Sequence, residues 1–368
     1  MQLGQRLKVA RKAIGFTLER AANESGIGQS SLSEFENGRR EPKFSQLSKL
    51  ADVYRKRVDF FLTDEAITED VILWRDKASE EDAKKTEAQF KQLCEQYHDL
   101  EVLINEVSSP KLPPPPKVNA EQFDYRRASD LAESFHRTLL LGDIPSASLK
   151  QILEEKLYVK IFHLEFYGSA ISTVSPKFGA AILLNSKSKL WRRNFDLAHE
   201  LFHLLSWSIF RGTDKQEDRP TENEEKLANA FASRLLLPTD SVKNKIEEAT
   251  NEKRQISFEA LDEIAREFGV SPQAMLWRML YLYNKSAEEI ERHVEHVQQI
   301  KISRPERRSD QPDKLPERYC SLAIRALREG KLSLMQFKKY MDLSYKEAET
   351  YLTDEEGFTD EKISISVA

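Results

Sequence analysis

Cysteine is scarce in this chain, and long apolar runs are absent. The 368 residues include only two cysteines, Cys94 and Cys320, which lie far apart and outside any C-x-x-C pair. A disulfide framework or a thiolate zinc site is therefore not expected, and both cysteines are predicted to be reduced packing residues. No apolar run approaches the roughly 20 residues that span a bilayer, and MQLGQRLKVARKAIG lacks a signal-peptide core. We expect a cytoplasmic protein with no membrane partner.

The charge of the chain is unevenly distributed. Hydrophobic residues make up 40% and charged residues 32% of the sequence, which is long enough for two or three domains with packed cores. Residues 1–61 hold twelve Lys or Arg and seven Asp or Glu, a balance of +5, whereas the whole chain carries −5. The remainder therefore carries −10. A basic module on an acidic body predicts that only the first part meets a polyanion.

Histidine is also scarce, yet two of the seven histidines lie four residues apart in RNFDLAHELFHLLSW. On a helix, His199 and His203 project from the same face, where both imidazoles can reach one metal ion. With Glu200 between them, they form the H-E-x-x-H arrangement. In that arrangement two neutral imidazoles hold Zn²⁺, and the glutamate takes a proton from the metal-bound water.

Such a site needs a third ligand, and a second amphipathic helix predicted at residues 225–237 offers one. Glu225 is the candidate. Asn229, one turn later, would lie beside the same site and hydrogen-bond the outer nitrogen of a ligand. An intact site of this kind can also serve structure or sensing instead of hydrolysis.

The run NFDLAHELFHLL, with AAILLN before it and ExxANxFAxxLLxP after it, resembles the ImmA/IrrE family of zinc metallopeptidases. The resemblance implies that His199, His203 and Glu225 hold Zn²⁺ and that Glu200 is the general base. The glycine usual inside the family's motif is Phe202 here. A ring at that position is expected to narrow the cleft and to affect the substrate range.

Residues 1–62 are predicted to form five short helices. Apolar residues recur at helical spacing, Thr17 is placed as an N-cap, and Gly26 supplies a tight turn between the second and third helices. The third helix is expected from about Gln29 to Glu36. This is the pattern of a helix-turn-helix with its supporting bundle.

The segment TLERAANESGIGQSSLSEFENGRREPKFSQLSKLADVY resembles the XRE-type DNA-binding domain. The resemblance implies that the third helix enters the major groove of an operator duplex. Leu18 replaces a frequent glutamine, so one expected contact is missing. A helical interaction module with a solvated basic face is the alternative. The candidates for base and backbone contacts are Gln29, Ser30, Ser31, Ser33 and Glu34. The candidates for phosphate contacts are Arg39, Arg40 and Lys43.

Residues 79–107 are predicted to form one long linking helix with a heptad seam. The seam would join two chains in a homodimer that reads paired half-sites, or else pack on its own peptidase domain. Residues 108–118 contain four consecutive prolines, which favour polyproline II, so we expect a domain boundary and a stiff spacer there. The seam residues are Ala83, Thr86, Phe90, Leu93, Tyr97, Leu100, Ile104 and Val107.

The peptidase core is expected at residues 119–250. Helices are predicted at residues 125–141 and 148–155, and strands at residues 157–166 and 180–184. The strand near Ala180 is expected to hold an extended peptide along an open edge. His163 either approaches the site or is a cross-strand packing residue.

A helical extension is expected at residues 251–345 and a tail at 346–368, with doubtful order beyond Glu355. Residues 257–283 resemble the helix-turn-helix-like extension that often follows this peptidase core, and residues 315–343 are predicted to be helical. His293 and His296 are predicted to lie on a solvated face. The predicted fold is α+β and mostly helical, with a zincin-like domain that contains a small sheet.

The resemblance implies a DNA-binding regulator with a gluzincin-like zinc peptidase. Its substrate would be a repressor, an antitoxin-like protein or the chain itself, cleaved in response to stress or phage. Two alternatives stay open. The zinc domain would be a non-hydrolytic sensor within a repressor, or the chain would be one half of a toxin and antitoxin pair.

Overall fold

The computed structural model describes residues 2–63, 70–76, 79–211, 219–252, 256–284 and 311–353. The described chain is mostly helical and contains one four-stranded sheet, so the predicted α+β class is confirmed. Among these residues, no helix has the length and apolar character needed to cross a membrane.

The N-terminal bundle has the five helices that the sequence predicts. The side chain of Thr17 accepts a hydrogen bond from the Arg20 amide at 3.1 Å, and Gly26 adopts a left-handed φ of 68° after the second helix. A Cβ on Gly4 would lie 2.4 Å from the carbonyl oxygen of Phe35, so only glycine lets the first helix cross the third this closely. The helices are α1 Leu3–Ala13, α2 Leu18–Ser25, α3 Gln29–Glu36, α4 Phe44–Val53 and α5 Val58–Leu62.

The sheet has the strand order β1-β3-β4-β2. The strands are β1 Ile72–Arg75, β2 Lys160–Leu164, β3 Ala170–Ser175 and β4 Gly179–Asn185. β3 pairs antiparallel with β4 and β1, while β2 runs parallel to β4. The prediction of an open edge near Ala180 is wrong, because β4 is an interior strand with partners on both sides.

Side chains of β4 alternate between two cores, as the two-residue period of a strand requires. Ile182 and Leu184 face the first core, which is covered by a layer of helices. Leu183 faces the second core on the opposite side of the sheet. These helices are α7 Tyr125–Leu139, α8 Pro145–Glu155, α9 Leu190–Leu205, α10 Trp207–Phe210, α11 Glu222–Leu236, α12 Thr239–Ala249, α13 Phe258–Glu267 and α14 Pro272–Leu282.

The heptad seam is covered by its own chain. The long helix α6, Glu80–Leu103, packs in the second core. Phe90 meets the ring of Phe162 at 6.3 Å, and Tyr97 meets Tyr319 at 5.4 Å. The prediction that this seam joins two chains is therefore wrong. The alternative, in which the helix packs on its own chain, is the one that the structure shows. A homodimer through another surface stays a prediction. Three further helices pack in the same core, α15 Glu317–Arg328, α16 Leu334–Met341 and α17 Tyr345–Thr353.

A domain boundary and stiff spacer were predicted at residues 108–118, but in the structure this proline segment packs against the second domain. The amide of Lys111 donates to the carbonyl of Leu157 at 3.1 Å, and Leu112 and Val118 pack on the first core. The sheet also takes β1 from upstream of α6. A spacer would be surrounded by solvent, whereas this segment is hydrogen-bonded to the domain and packs on its core.

Several further predictions concern the C-terminal region. Helices α13 and α14 occupy the predicted residues 257–283, and α15 and α16 occupy residues 315–343. The tail predicted from residue 346 is partly wrong, because α17 continues to Thr353 and Ala348 is buried in the second core. His293, His296 and the residues beyond Glu355 lie outside the described residues.

Candidate metal centre

Helices α9 and α11 bring His199, His203 and Glu225 to one point. The Nε2 atoms of the two histidines lie 3.2 Å apart. A carboxylate oxygen of Glu225 lies 3.2 Å from Nε2 of His199, and the other lies 3.6 Å from Nε2 of His203. Both histidines are buried, whereas the Glu225 side chain keeps 32% of its exposure. The three predicted ligands therefore converge, with Glu225 on the solvent side.

Two side chains of α11 orient the imidazoles from behind. Asn229 Oδ1 lies 3.1 Å from Nδ1 of His199, where a second-layer partner was predicted. Glu224 Oε1 lies 2.9 Å from Nδ1 of His203, a contact that the sequence analysis missed. Each contact turns the other ring nitrogen, Nε2, toward the site. Glu224 lies in the acidic first turn of α11, ENEE, which could have indicated a role at the site. The sequence does not show which of these glutamates would bind a metal and which would orient a histidine.

Glu224 is itself held by a buried cation. Arg211 donates to both of its carboxylate oxygens, at 2.8 and 2.9 Å. Both contacts come from one guanidinium nitrogen, Nη2, and these charge-assisted hydrogen bonds hold the carboxylate in place. The orientation of His203 therefore depends on Arg211 as well as on Glu224.

Glu200 lies beside the three converging groups and is almost fully buried. Its Oε2 accepts a hydrogen bond from the Ser172 hydroxyl at 2.6 Å, while its Oε1 is buried without a hydrogen-bond partner. Burial raises the pKa of this carboxyl to about 7, against the opposing effects of His203, Ser172 and Arg75. A carboxylate with a free oxygen and a pKa near neutrality is suited to accept and return a proton.

The two imidazoles have pKa values shifted in opposite directions. Burial lowers the pKa of His199 to about 4. Burial acts in the same direction on His203, but hydrogen bonds to Glu224 and Glu225 outweigh it and raise the His203 pKa to about 9. Burial opposes ionisation of Glu225, yet its contacts with both histidines hold its pKa well below the usual range. The carboxylate of Glu225 beside the two imidazoles provides the negative charge that a cation at this point would need.

The donor set fits Zn²⁺. Two imidazole nitrogens and one carboxylate oxygen are the protein ligands of catalytic zinc sites of the H-E-x-x-H type, which keep a further position for water or substrate. The Oε1 atom of Glu200 has no hydrogen-bond partner, so it is free to accept a hydrogen bond from a water molecule in that further position. The fit rests on the three convergent atoms, all within 4.8 Å of one another.

Two residues near the motif do not take part in the site. Phe202 is buried in the first core against Phe123 and Phe231, both at 5.7 Å, so the prediction that it narrows the cleft is wrong. His163 lies in β2, where its Nδ1 is 3.1 Å from the carbonyl oxygen of Asp313. Burial lowers its pKa to about 3. The packing alternative holds for His163.

Arg75 reaches the site from β1 and was not found from the sequence. Its guanidinium lies 2.8 Å from Asp196 Oδ1 and donates to Asn229 Oδ1 at 3.3 Å. Asn229 is the residue that orients His199. The contact spans 154 positions of the chain, and no local pattern indicates it.

The residues predicted to contact DNA occupy α3 and the loop after it. Gln29 and Ser30 are exposed at the start of the helix. Glu34 and Arg40 form a partly exposed ion pair at 3.4 Å. Ser31 and Ser33 are half-buried, whereas Arg39 and Lys43 are exposed.

Family models match two parts of the chain. Residues 7–61 match the family described as Helix-turn-helix, and residues 154–280 match the family described as IrrE N-terminal-like domain, a peptidase family. The chain combines these two domains. The second match contains all three convergent ligands as well as Glu200, Glu224 and Asn229.

Two relatives match parts of the chain. The HTH-type transcriptional regulator ImmR of Bacillus subtilis (strain 168) is 40% identical over 62 residues, which are 17% of this chain and 49% of ImmR. A solved structure described as a Mycobacterium tuberculosis transcriptional regulator is 17% identical and covers 51% of each chain, with a TM-score of 0.31. The chain spans about half the length of each relative.

Proposed function

We propose that this chain is a DNA-binding regulator whose second domain is a zinc-dependent endopeptidase. The observation that carries the proposal is the convergence of His199, His203 and Glu225 beside a buried glutamate, Glu200, that has one free oxygen. The match to the IrrE N-terminal-like domain supports a metallopeptidase-type fold at the same residues.

The residues of the chain divide the chemistry between them. His199, His203 and Glu225 would hold Zn²⁺, which supplies Lewis-acid polarisation of a scissile carbonyl. Glu200 accepts the proton of the attacking water at Oε1 and returns it to the leaving amine. Ser172 keeps the other oxygen occupied at 2.6 Å, so that Oε1 is the proton-carrying atom.

The DNA-binding half of the proposal rests on the first domain. The helix-turn-helix match at residues 7–61, the surplus of basic residues and the exposure of Arg39 and Lys43 support operator binding through α3. The protein that is cleaved is proposed to be a repressor, an antitoxin-like protein or this chain itself, and the trigger to be stress or phage.

The test compares wild type with Glu200→Gln in cells, using mass spectrometry to find new protein termini under DNA damage or phage infection. Gln keeps the size of the side chain and leaves the metal ligands in place. Glu222→Gln, at an exposed position at the start of α11, is the matched control. We expect a defined cut with wild type and the control but not with Glu200→Gln. The same cuts with all three proteins, or no cut with any, would rule out hydrolysis by this site.

A second candidate function is a non-hydrolytic metal-dependent sensor. The burial of His199, Glu200 and His203, none more than 2% exposed, favours it, because a substrate needs access. A sensor would keep regulating its promoter after Glu200→Gln and lose that regulation when Glu225 is replaced. A reporter assay of both variants separates this function from hydrolysis.

A further inference from the structure

The edge of the sheet beside Glu200 is occupied by β1. Ser172 of β3 holds Glu200 and is paired in the sheet with Leu73, while Ala170 is paired with Arg75. β1 comes from the segment between the helix-turn-helix bundle and α6. The strand nearest the candidate metal centre is therefore covered by four residues of the same chain.

The two faces of β1 have different surroundings. Ile72 and Trp74 pack in the second core, and Trp74 Nε1 donates to Glu87 Oε1 on α6 at 2.7 Å. Because strand side chains alternate, Leu73 and Arg75 project to the face that carries α9 and Glu200. Leu73 is 1% exposed. The face of β1 that carries Ile72 and Trp74 therefore anchors the strand on α6. The face that carries Leu73 and Arg75 is directed toward the candidate metal centre.

Arg75 forms an ion pair with a buried carboxylate. Asp196, in the helix of the two histidines, is buried and pairs with Arg75 at 2.8 Å and with Arg192 at 3.1 Å. Arg75 also lies over the ring of Phe195 at 5.3 Å. The Arg75 side chain therefore lies in a subsite made of the Asp196 carboxylate and the Phe195 ring, as a basic side chain of a bound peptide would.

An open strand edge is a template for an extended peptide, because its unpaired N–H and C=O groups can bind another backbone. An endopeptidase must hold its substrate extended next to the general base. In this sheet the strand adjacent to Glu200 is β3, and β1 already uses the free edge of β3.

We infer that β1 occupies the substrate's place as an internal pseudo-substrate strand. An extended peptide binds only after β1 has left the edge of β3. The peptide that replaces it has an aliphatic side chain followed two residues later by a basic one, the pattern of Leu73 and Arg75. The inference rests on the proposed endopeptidase function and names both its substrate class and its regulation.

The test uses the full chain with Glu200→Gln and a fluorescein-labelled peptide of residues 71–76, VILWRD, followed by fluorescence anisotropy. Leu73→Asp places a charge against the site and should release β1. Val102→Asp adds the same charge at an exposed position of α6 and is the control. We expect at least tenfold tighter peptide binding after Leu73→Asp than in the control, and loss of binding when the arginine of the peptide is replaced by glutamate.

Hydrogen exchange provides an independent readout. Amides of β3 should exchange faster after Leu73→Asp and regain protection when the peptide is added. Trp74→Ala, which removes the hydrogen bond to Glu87 without changing the site face, should produce the same effects more weakly. Folding is checked by circular dichroism.

The outcomes separate the inference from the proposed function. Folded variants that bind the peptide no better than the control would overturn the inference, and so would loss of the fold in both variants, because β1 would then be a purely structural strand. Peptide binding to β1-released protein without cleavage when Glu200 is restored would keep the inference and contradict hydrolysis. Metal-dependent cleavage that is unchanged by Leu73→Asp would keep hydrolysis and contradict the inference.

Discussion

Behind the three proposed metal ligands, Asn229 and Glu224 each contact the Nδ1 atom of one imidazole. Glu224 contacts Nδ1 of His203 and is held by Arg211, so it sets the direction in which the imidazole presents Nε2. Outer partners of metal-bound histidines commonly change metal affinity by about 10–100-fold when replaced.

We predict that Glu224→Gln weakens zinc binding by about 10–100-fold, because the amide is a poorer acceptor and leaves Arg211 without its counter-charge. Competition with a fluorescent zinc chelator measures the affinity. Glu222→Gln, in the same helical turn but exposed, should bind zinc like wild type. Equal affinities for the two variants would show that Glu224 does not orient the ligand.

Glu154, in α8, is a half-buried residue that takes no part in the metal centre. Burial raises its pKa to about 7, against the attraction of Lys150, and its Oε1 has no hydrogen-bond partner. A carboxyl whose folded pKa lies above its unfolded value stabilises the fold below the unfolded pKa and loses that contribution as pH rises through the folded pKa.

Glu154→Gln should therefore raise the stability relative to wild type more at pH 8 than at pH 5, by at most about 3 kcal/mol. Thermal unfolding of both proteins at the two pH values measures this difference. Glu155→Gln, at the exposed neighbouring position, is the control. A difference from wild type that does not change between pH 5 and pH 8 would contradict the assignment.

At the scale of elements, α6 shows what a local pattern can establish. The spacing of apolar residues predicted a long helix with one apolar face, and both are present. The partner of that face was not predictable, because a heptad seam and a face that packs on a sheet share the same spacing. Phe162 and Tyr319, which cover the seam, lie far away in the sequence.

Phe90→Ala should destabilise the chain by about 3–5 kcal/mol, since it removes a fully buried ring from the second core. Val102→Ala, at an exposed position of the same helix, should change stability little. Urea denaturation measures both. The loss for Phe90→Ala should not depend on protein concentration. A strong dependence would favour a seam between two chains.

The strands show where sequence reasoning stopped. His199, His203 and Glu225 were predictable because helical periodicity converts spacing into direction. β1 is only four residues long, and its pairing with β3 spans about a hundred positions. Such pairing is decided by tertiary packing, which also explains why the boundary at residues 108–118 and the open edge near Ala180 were wrong.

At the scale of the whole molecule, the bundle and the body are joined by ion pairs that leave α3 exposed. Arg20 pairs with Glu81, Arg57 with Asp99 on α6, and Lys339 of α16 with Asp52. These contacts use faces other than the start of α3. The arrangement is compatible with DNA binding while the second domain remains attached.

Arg39→Ala should weaken DNA binding for all sequences alike and reduce the slope of log affinity against log salt by about 1, because one phosphate contact is lost. Lys150→Ala, an exposed substitution on the acidic body, should leave both unchanged. Anisotropy titrations with operator and unrelated duplexes at several salt concentrations measure the effect. Identical behaviour of the two variants would place Arg39 outside the interface.

The zinc stoichiometry of the purified full chain, measured by elemental mass spectrometry after exhaustive dialysis, tests the proposed metal centre directly. We expect one zinc per chain in wild type, in Glu200→Gln and in the exposed control Glu222→Gln, and almost none in Glu225→Gln or His203→Ala. Zinc retained by folded Glu225→Gln and His203→Ala would contradict the site. A wild type that binds no zinc would contradict the metal-dependent account altogether.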